Sequence, residues 1–237
     1  MTKTSESALL LAITLAALAG FVDVIAFMAM GGFFASFMSG NSTRLAIGLG
    51  SDMGDAMLAA QLLLAFIGGV IGATMLGHRA RHHRHTAILA LVTTALFIAA
   101  LVAKPYQPAP MLLLAVAMGA VNTLFERDGD VSIGLTYMTG TIVRFGQHLA
   151  RWVDGRGGVA AWVLPACLWL CFLSGGLIGI GLYWRAGLSA LWLGAGASGA
   201  ITLWQGMAHR AKPGAANPAA HGPNAITPHA NDGPEQG

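Results

Sequence analysis

Two stretches a hundred positions apart decide how this chain is organised: FMSGNSTRLAIGLG (37–50) and YMTGTIVRFGQHLA (137–150). Each contains a methionine, a hydroxyl residue and a glycine in succession. Each also carries an arginine four positions after that glycine, Arg44 in the first copy and Arg144 in the second. Because polar residues around a glycine are unusual within a strongly apolar chain, the doubled pattern indicates an internal duplication.

Further matches extend the duplication on both sides of this motif. Upstream, AGFVD (19–23) aligns with MGAVN (118–122), and downstream, FIGGVIG (66–72) aligns with LSGGLIG (173–179). The three pairs occur in the same order in both halves, which chance does not readily produce. The sequence therefore predicts a repeated unit of about three membrane spans. The small-residue faces Gly68-x-x-x-Gly72 and Gly175-x-x-x-Gly179 are predicted to let the two repeats approach closely.

The composition places the chain among membrane proteins. Of its 237 residues, 55% are hydrophobic and 10% are charged, against roughly 25% charged residues in soluble domains. The mean hydropathy is +0.65. The net charge of +3 comes from basic residues placed between apolar runs, which is typical of an orientation signal. No basic face interleaved with aromatic residues is present, so no nucleic-acid partner is expected.

Six apolar segments approach the roughly 20 residues that a bilayer-spanning helix needs. They begin near Ala8, Ala56, Thr86, Pro110, Val159 and Leu188. We therefore expect an all-α polytopic membrane protein of about six transmembrane helices. The predicted organisation is a short cytoplasmic N-terminus (1–7), a first repeat (8–104), a second repeat (110–207) and a disordered Pro/Gly/Ala-rich tail (208–237).

An odd number of spans per repeat makes the second copy enter the membrane upside down. The halves then form inverted-topology repeats, an arrangement common in secondary transporters. Each MSG or MTG motif is predicted to mark a broken or re-entrant segment. In the alternative, each motif segment is a full span and each half has four. We prefer three, because the stretch 32–50 is barely long enough and a fourth span would place the most basic loop outside.

That loop, HRARHHRH (78–85), sets the predicted orientation. Lys and Arg accumulate in cytoplasmic loops, so this loop and both chain termini are expected in the cytoplasm. Its histidines raise the possibility of a metal site. No acidic residue or cysteine lies nearby and the spacing matches no standard site, so a plain basic loop is the better interpretation and no metal is predicted.

Asp23 is the main candidate for function, because an ionised carboxylate in a bilayer costs several kcal/mol unless it is paired or hydrated. It is predicted near the middle of the first span. It either couples transport to a proton or binds substrate, or it serves the fold as an ion pair or hydrogen-bonded cap. Its aligned counterpart, Asn122, cannot titrate, so any proton coupling would reside in one half only.

The motif residues are the second set of candidates. Glycine permits a sharp turn, and Ser39, Asn41, Thr139 and Thr141 are suited to cap a helix that begins after them. Such a helix start favours an anion, which an arginine one turn later would clamp; Arg44 or Arg144 would otherwise pair with Asp23 or anchor the interface. The complete candidate set is Asp23, Ser39, Gly40, Asn41, Arg44, Asn122, Thr139, Gly140, Thr141 and Arg144.

The sequence resembles the YoaK-like family of bacterial integral membrane proteins, whose function is unknown. The resemblance rests on AGFVDVIAF, the pair Gly31-Gly32, MSGN and TYMTGTIVR, and it covers roughly residues 10–204. It implies a bacterial cytoplasmic membrane location and supplies neither substrate nor reaction. Its signature falls on Asp23, Ser39, Gly40, Asn41, Thr139, Gly140 and Arg144. The chain departs from the pattern in its long tail and in FERDGD (125–130).

Three functions compete on this basis. A small-molecule secondary transporter with a midplane site between the repeats is favoured by the duplication, by Asp23 and by the doubled motif. A non-transporting scaffold or regulator is the alternative. An enzyme is not expected, because the chain has no tight catalytic motif and His148 is a weak candidate base. We expect no cofactor, and as partners the lipid bilayer and a small-molecule substrate or proton.

Overall fold

In a computed structural model of the chain, residues 6–104, 107–124, 126–127, 130–131 and 138–210 are described. The described α-helices are α1 (Glu6–Ala29), α2 (Met38–Ser51), α3 (Met53–Arg79), α4 (Arg84–Leu101), α5 (Pro108–Asn122), α6 (Met138–Val153), α7 (Val159–Ala186) and α8 (Leu191–Arg210). Two 3-10 turns (Arg81–His83 and Gly187–Ala190) and two antiparallel two-residue strands (Glu126–Arg127 and Asp130–Val131) complete the described elements. Nearly all of the predicted disordered tail, and much of the FERDGD segment, lie outside the described residues.

The helices are those of a membrane protein. Four described stretches are long and apolar enough to cross a bilayer: 7–29, 53–79, 84–101 and 159–208. The last stretch contains α7, the second 3-10 turn and α8, and α5 is a shorter apolar helix. The all-helical membrane class predicted from composition is therefore confirmed.

Local chemistry explains where several helices begin and end. Gly31 and Gly32 follow α1 with φ angles of 65° and 103°, a conformation that side-chain-bearing residues rarely adopt, so the chain reverses there. The Asp52 side chain caps α3 by accepting a hydrogen bond from the backbone N–H of Gly54 at 2.7 Å. Pro108 starts α5, where its missing N–H costs nothing.

The two halves are held together because helices of one half pair with helices of the other, α1 with α7 and α3 with α5. The glycines of α1 and α7 pack on the opposing backbone, so that Gly20 meets Phe172 and Gly175 meets Ala17. The glycine of α5 does the same on α3, where Gly119 meets the backbone of Phe66. A Cβ at any of these glycines would overlap backbone atoms, so only glycine allows the approach.

One of the two predicted small-residue faces is confirmed and the other is wrong. Gly175 and Gly179 contact α1, as expected. Apart from the adjoining backbone of α3 itself, no atom of the described chain lies within 4 Å of the position where a Cβ of Gly68 or Gly72 would lie. The neighbouring Gly69 contacts the Val116 backbone instead, because α3 turns a different face toward α5.

Helices α4 and α8 pack antiparallel through polar and apolar contacts. The Thr93 hydroxyl lies 2.8 Å from the hydroxyls of both Ser198 and Thr202. Nearer the end of α4, the ring of Phe97 packs edge-on against Trp192 at the start of α8. Three hydroxyls therefore satisfy one another between two apolar helices, which avoids the cost of isolated polar groups there.

Short contacts between helix ends show which ends lie together. The ends of α1, α4 and α7 and the start of α8 line one recess of about 410 Å³, with Met28, Ala100, Tyr183 and Trp192 in its wall. At the opposite end, Arg84 at the start of α4 donates from Nη2 to the carbonyl oxygen of Thr123, just after α5, at 3.0 Å. Helix α4 thus runs antiparallel to α5 and α8.

Helices α2 and α6, of 14 and 16 residues, begin beside the middle of α3. Met38, the first residue of α2, lies near Phe66, which is thirteen residues from both ends of α3. Gly48 near the end of α2 contacts Ala56 near the start of α3. Helix α2 therefore starts beside the middle of α3 and runs back toward its start.

Candidate functional site

The two repeated motifs meet at one cavity. It has a volume of about 220 Å³. Its wall is formed by Ser36, Phe37, Met38, Ser39, Phe66, Met138, Thr139 and Gly140. The two motif segments, which are a hundred residues apart in the chain, thus lie next to each other beside the middle of α3.

Both motif helices begin at the wall of this cavity. Helix α2 starts at Met38 and α6 at Met138, each one residue before the motif hydroxyl. Within the described chain, no side chain caps α2 at Phe37. The first N–H groups of a helix lack intrahelical acceptors and carry positive potential. The cavity therefore lies between two helix starts, one from each half.

The predicted capping role of the motif hydroxyls is wrong. Ser39 and Asn41 lie inside the first turn of α2, and Thr139 and Thr141 lie inside the first turn of α6. A capping side chain has to precede the helix. Both helices begin at the methionine that precedes the motif hydroxyl, and Ser39 and Thr139 line the cavity.

Asp23 lies directly behind the cavity wall. It is buried, six residues before the end of α1. Its Oδ1 accepts a hydrogen bond from the backbone N–H of Ser36, and its Oδ2 accepts one from the Ser36 hydroxyl, both at 2.7 Å. Ser36 is itself a lining residue. The carboxylate therefore holds the segment between α1 and α2 at the place where that segment forms the wall.

Asn41 holds the same segment from the other side. Its Oδ1 accepts from the Phe34 backbone N–H at 3.0 Å, and its Nδ2 donates to the Phe34 carbonyl oxygen at 2.7 Å. The side chain is fully buried. The Asn41 side chain thus satisfies both backbone groups of Phe34, as a neighbouring backbone would. The segment in which the chain reverses after α1 is therefore fixed by a residue of α2.

Neither motif arginine is among the described residues that line the cavity. The Arg44 guanidinium lies 3.7 Å from a carboxylate oxygen of Asp55 and 4.5 Å from the centre of the Phe33 ring. Arg144 is exposed and makes a long contact of 3.4 Å to the Gly140 carbonyl oxygen. Pairing of Arg44 or Arg144 with Asp23, one of the predicted options, is wrong, because the Asp23 carboxylate is bonded to Ser36 and each arginine has another partner.

The second half provides only part of an equivalent wall. Asn122, aligned with Asp23, is buried at the end of α5 and donates to the Met118 carbonyl oxygen at 2.8 Å. Thr141, aligned with Asn41, is also buried. Much of the segment 125–137, which corresponds to the segment held by Asp23, lies outside the described residues.

Five lining residues were not among the sequence candidates: Ser36, Phe37, Met38, Phe66 and Met138. Ser36 could have been found, because it is the one hydroxyl between Met30 and Phe37 and a buried carboxylate at Asp23 needs donors. Phe66 carried no such signal, since it is one of many apolar residues in α3. In the part of the chain that the structure describes, no three His, Cys, Asp or Glu side chains are placed to hold a metal ion.

Comparison with known proteins identifies relatives of the whole bundle. Residues 11–204 match the family described as "Protein of unknown function (DUF1275)". The UPF0700 transmembrane protein RA0705 of Rhizobium meliloti (strain 1021) is 35% identical over 193 residues, which cover 81% of this chain and 83% of that protein. The UPF0700 transmembrane protein YoaK of Bacillus subtilis (strain 168) is 31% identical over 133 residues, covering 52% and 59%. No solved structure matches the chain. The resemblance to YoaK-like proteins is confirmed.

Proposed function

The chain belongs to the family of proteins of unknown function DUF1275, and from that premise we propose that it is a secondary transporter for a small polar or anionic solute. The cavity shared by the two motif segments carries the proposal. It combines hydroxyls from Ser36, Ser39 and Thr139 with the positive ends of two helices. Its volume of about 220 Å³ is below the usual range of drug-sized pockets, which favours a small solute.

The proposed architecture is six spans in two inverted repeats of three, each with one broken segment. The spans are α1, α3, α4, α5, α7 and α8. The ends of α1, α4 and α7 lie together, while the start of α4 lies beside the end of α5. These contacts support crossing directions that alternate through α1, α3 and α4. They also support the opposite crossing direction for each counterpart, α5, α7 and α8. Helices α2 and α6, which begin beside the middle of α3, are the proposed broken segments.

The height of the cavity supports a midplane site. Phe66 lies thirteen residues from either end of α3, or about 20 Å along the helix axis. A solute there would be far from both membrane surfaces. Alternating access requires a site of this kind, located between two halves that move relative to each other.

We further propose the cytoplasmic membrane as the location, with both chain ends in the cytoplasm. The basic segment 78–85 lies at the end of the bundle where α4 starts, which is where α3 ends and α5 ends. Excess Lys and Arg in a short loop favour the cytoplasmic side. The proposal includes no chemical reaction, and His148 on α6 is given no catalytic role.

The alternative function is a scaffold or regulator that moves no solute. One observation favours it: the buried polar side chains of Asp23 and Asn41 are both engaged with the segment between α1 and α2. Side chains used in this way stabilise the fold irrespective of transport. The two functions differ in whether water reaches the cavity.

Cysteine accessibility distinguishes the two functions without knowledge of the substrate. In a background with Cys167→Ala and Cys171→Ala, Ser39→Cys and Thr139→Cys place one thiol in each cavity wall. A membrane-impermeant maleimide is added to oriented vesicles from either side. We expect both thiols to react, because a transported solute has to reach them through water.

Two matched variants calibrate this labelling. Leu64→Cys lies on the outer face of α3, where lipid excludes the reagent, and Ser51→Cys lies exposed at the end of α2. Labelling of the cavity thiols at a rate near that of Ser51→Cys supports transport. If both cavity thiols were as inert as Leu64→Cys in correctly folded protein, the transporter proposal would be rejected in favour of the scaffold.

A further inference from the structure

A strip of polar and basic side chains follows one flank of α6. Its members are Arg144, Gln147, His148 and Arg151, and their spacing of three and four residues places them on one helix face. Gly140 lies on the same face one turn earlier, and it lines the motif cavity. Helix α6 contains no acidic residue. The basic strip, as we call these five residues, therefore leads away from the cavity along α6.

The strip stays exposed because α6 packs on α7 through a neighbouring face. The rings of Phe145 and Trp152 both contact the Trp162 ring of α7, with centroid distances of 6.2 and 5.8 Å. Arg144 and Arg151 are exposed beside this packed face. The contact with α7 thus leaves the two cations of the strip facing away from that helix.

Arg144 lies at a depth where contact with lipid is costly. Helix α6 begins beside Phe66, at the proposed midplane, and Arg144 follows Met138 by six residues, or about 9 Å. The hydrocarbon layer extends about 15 Å from the midplane. The Arg144 side chain does not extend toward the surface, because its Nε lies 3.4 Å from the Gly140 carbonyl oxygen, back toward the cavity. A cation held in this way needs water or an opposite charge around it.

The first repeat shows how the same segment is built without exposed charge. Aligning the two motifs places Arg44, Ile47, Gly48 and Ser51 of α2 opposite Arg144, Gln147, His148 and Arg151 of α6. The guanidinium of Arg44 lies 3.7 Å from the Asp55 carboxylate and over the Phe33 ring. Within the part of the chain that the structure describes, neither Arg144 nor Arg151 forms a salt bridge. The α2 pattern suits lipid, and the α6 pattern suits water.

We propose that the basic strip of α6 lines a water-filled route by which an anionic solute reaches the motif cavity. The route opens on the side of the membrane where α6 ends and α7 starts. Arg151 lies at its entrance and Arg144 near the cavity, so that a negative charge meets a cation at both ends. This inference rests on the proposed transport function and narrows the solute to an anion.

Charged thiol reagents test the route. In the background with Cys167→Ala and Cys171→Ala, Gln147→Cys places one thiol in the middle of the strip. The reagents are sulfonatoethyl methanethiosulfonate, an anion, and trimethylammonioethyl methanethiosulfonate, a cation, each added to one side of oriented vesicles. Each rate is divided by the rate of the same reagent with a free thiol. We expect Gln147→Cys to react from the side where α7 starts, and faster with the anion.

Two matched variants show whether the strip is responsible. Gly146→Cys has nearly the same depth but lies on an apolar flank beside Ile142 and Val143, and a Cβ there has open space. Ile47→Cys is the position of α2 that aligns with Gln147. Both thiols should be inert, because lipid surrounds them. If Gln147→Cys reacted no faster than Gly146→Cys, the route would be overturned.

Substitution of Arg144 tests the preference for anions. In the Gln147→Cys protein, Arg144→Gln should slow the anionic reagent about three- to fourfold, since a unit charge one helical turn away in water contributes about that factor. Arg144→Lys keeps the charge and should keep the rate, and the unfolding transition of each variant is measured in parallel. Added salt should reduce the preference without any substitution. Equal corrected rates of the two reagents would overturn the anion as the solute.

The cavity thiols of Ser39→Cys and Thr139→Cys separate this inference from the transport proposal. If they react while Gln147→Cys is inert, solute enters by another path and only the route is overturned. If they are inert while Gln147→Cys reacts, the strip is wet but leads nowhere, and both proposals are overturned. Reaction at all three positions supports both.

Discussion

Substitution of Asp23 tests whether the wall of the motif cavity is held by hydrogen bonds or by charge. Its two carboxylate oxygens each accept one bond from Ser36, at 2.7 Å. Asp23→Ala leaves both donors of a buried serine without an acceptor. Each such loss costs about 1–3 kcal/mol. Removing a carboxylate from an apolar environment offsets part of that cost, so we expect a loss of about 2–4 kcal/mol in the free energy of unfolding.

Asp23→Asn should behave differently. The amide oxygen accepts from the Ser36 backbone N–H, and the amide NH₂ donates to the Ser36 hydroxyl, so both contacts persist as neutral hydrogen bonds. We expect a loss of about 1 kcal/mol, the difference between a charged and a neutral acceptor. Ser36→Ala, which removes only the hydroxyl bond, should fall between the two substitutions of Asp23.

Unfolding in mixed detergent micelles, followed by the fluorescence of the six tryptophans, gives these free energies. Asp154→Asn, an exposed carboxylate, is the control and should be neutral. If Asp23→Asn proved as destabilising as Asp23→Ala, the negative charge itself would be required and the reasoning from hydrogen bonds would fail. A role in proton coupling predicts that Asp23→Asn keeps the fold and stops uptake once a solute is known.

Two further substitutions test the packing and the segment between α1 and α2. Gly119→Ala should destabilise the protein by about 1–3 kcal/mol, because its Cβ would overlap the backbone of Phe66. The control, Gly68→Ala, has open space around the new Cβ and should be neutral or slightly stabilising. Equal effects of the two substitutions in the same unfolding assay would contradict this packing. Asn41→Ala should cost about 2–3 kcal/mol by removing both bonds to the Phe34 backbone; a thermal midpoint equal to that of the wild type would show that α2 does not hold this segment.

The sequence was sufficient for the features that depend on composition and repetition. Apolar segments of spanning length predicted a helical membrane protein, and the doubled motif predicted that two segments would begin helices near each other. Each of these signals is local or periodic, so a single chain displays it. The six-span count, the inversion and the orientation stay predictions.

Features that depend on the rotation of one helix against another were not predictable in the same way. The sequence pointed to Gly68 and Gly72, whereas the contact with α5 is made by Gly69. A one-residue difference turns the helix by about 100°, and only the packed partner determines which face is used. Phe66 was missed for the same reason. The start of α2 at Met38, ahead of Ser39, likewise depends on the segment that Asp23 and Asn41 hold in place.

The exchanged pairing of helices constrains the order in which the protein is made. Gly20 of α1 packs on Phe172 of α7, which is synthesised 152 residues later. Until then α1 has to remain in the membrane without its main partner, and it has the highest mean hydropathy of the four spanning stretches, 2.4. Helix α5 enters after its partner α3 is already present, and it is only 15 residues long. The two copies therefore differ in how their first helices insert. Helix α1 is held in the membrane without its partner, whereas its counterpart α5 packs against α3, which is already in place.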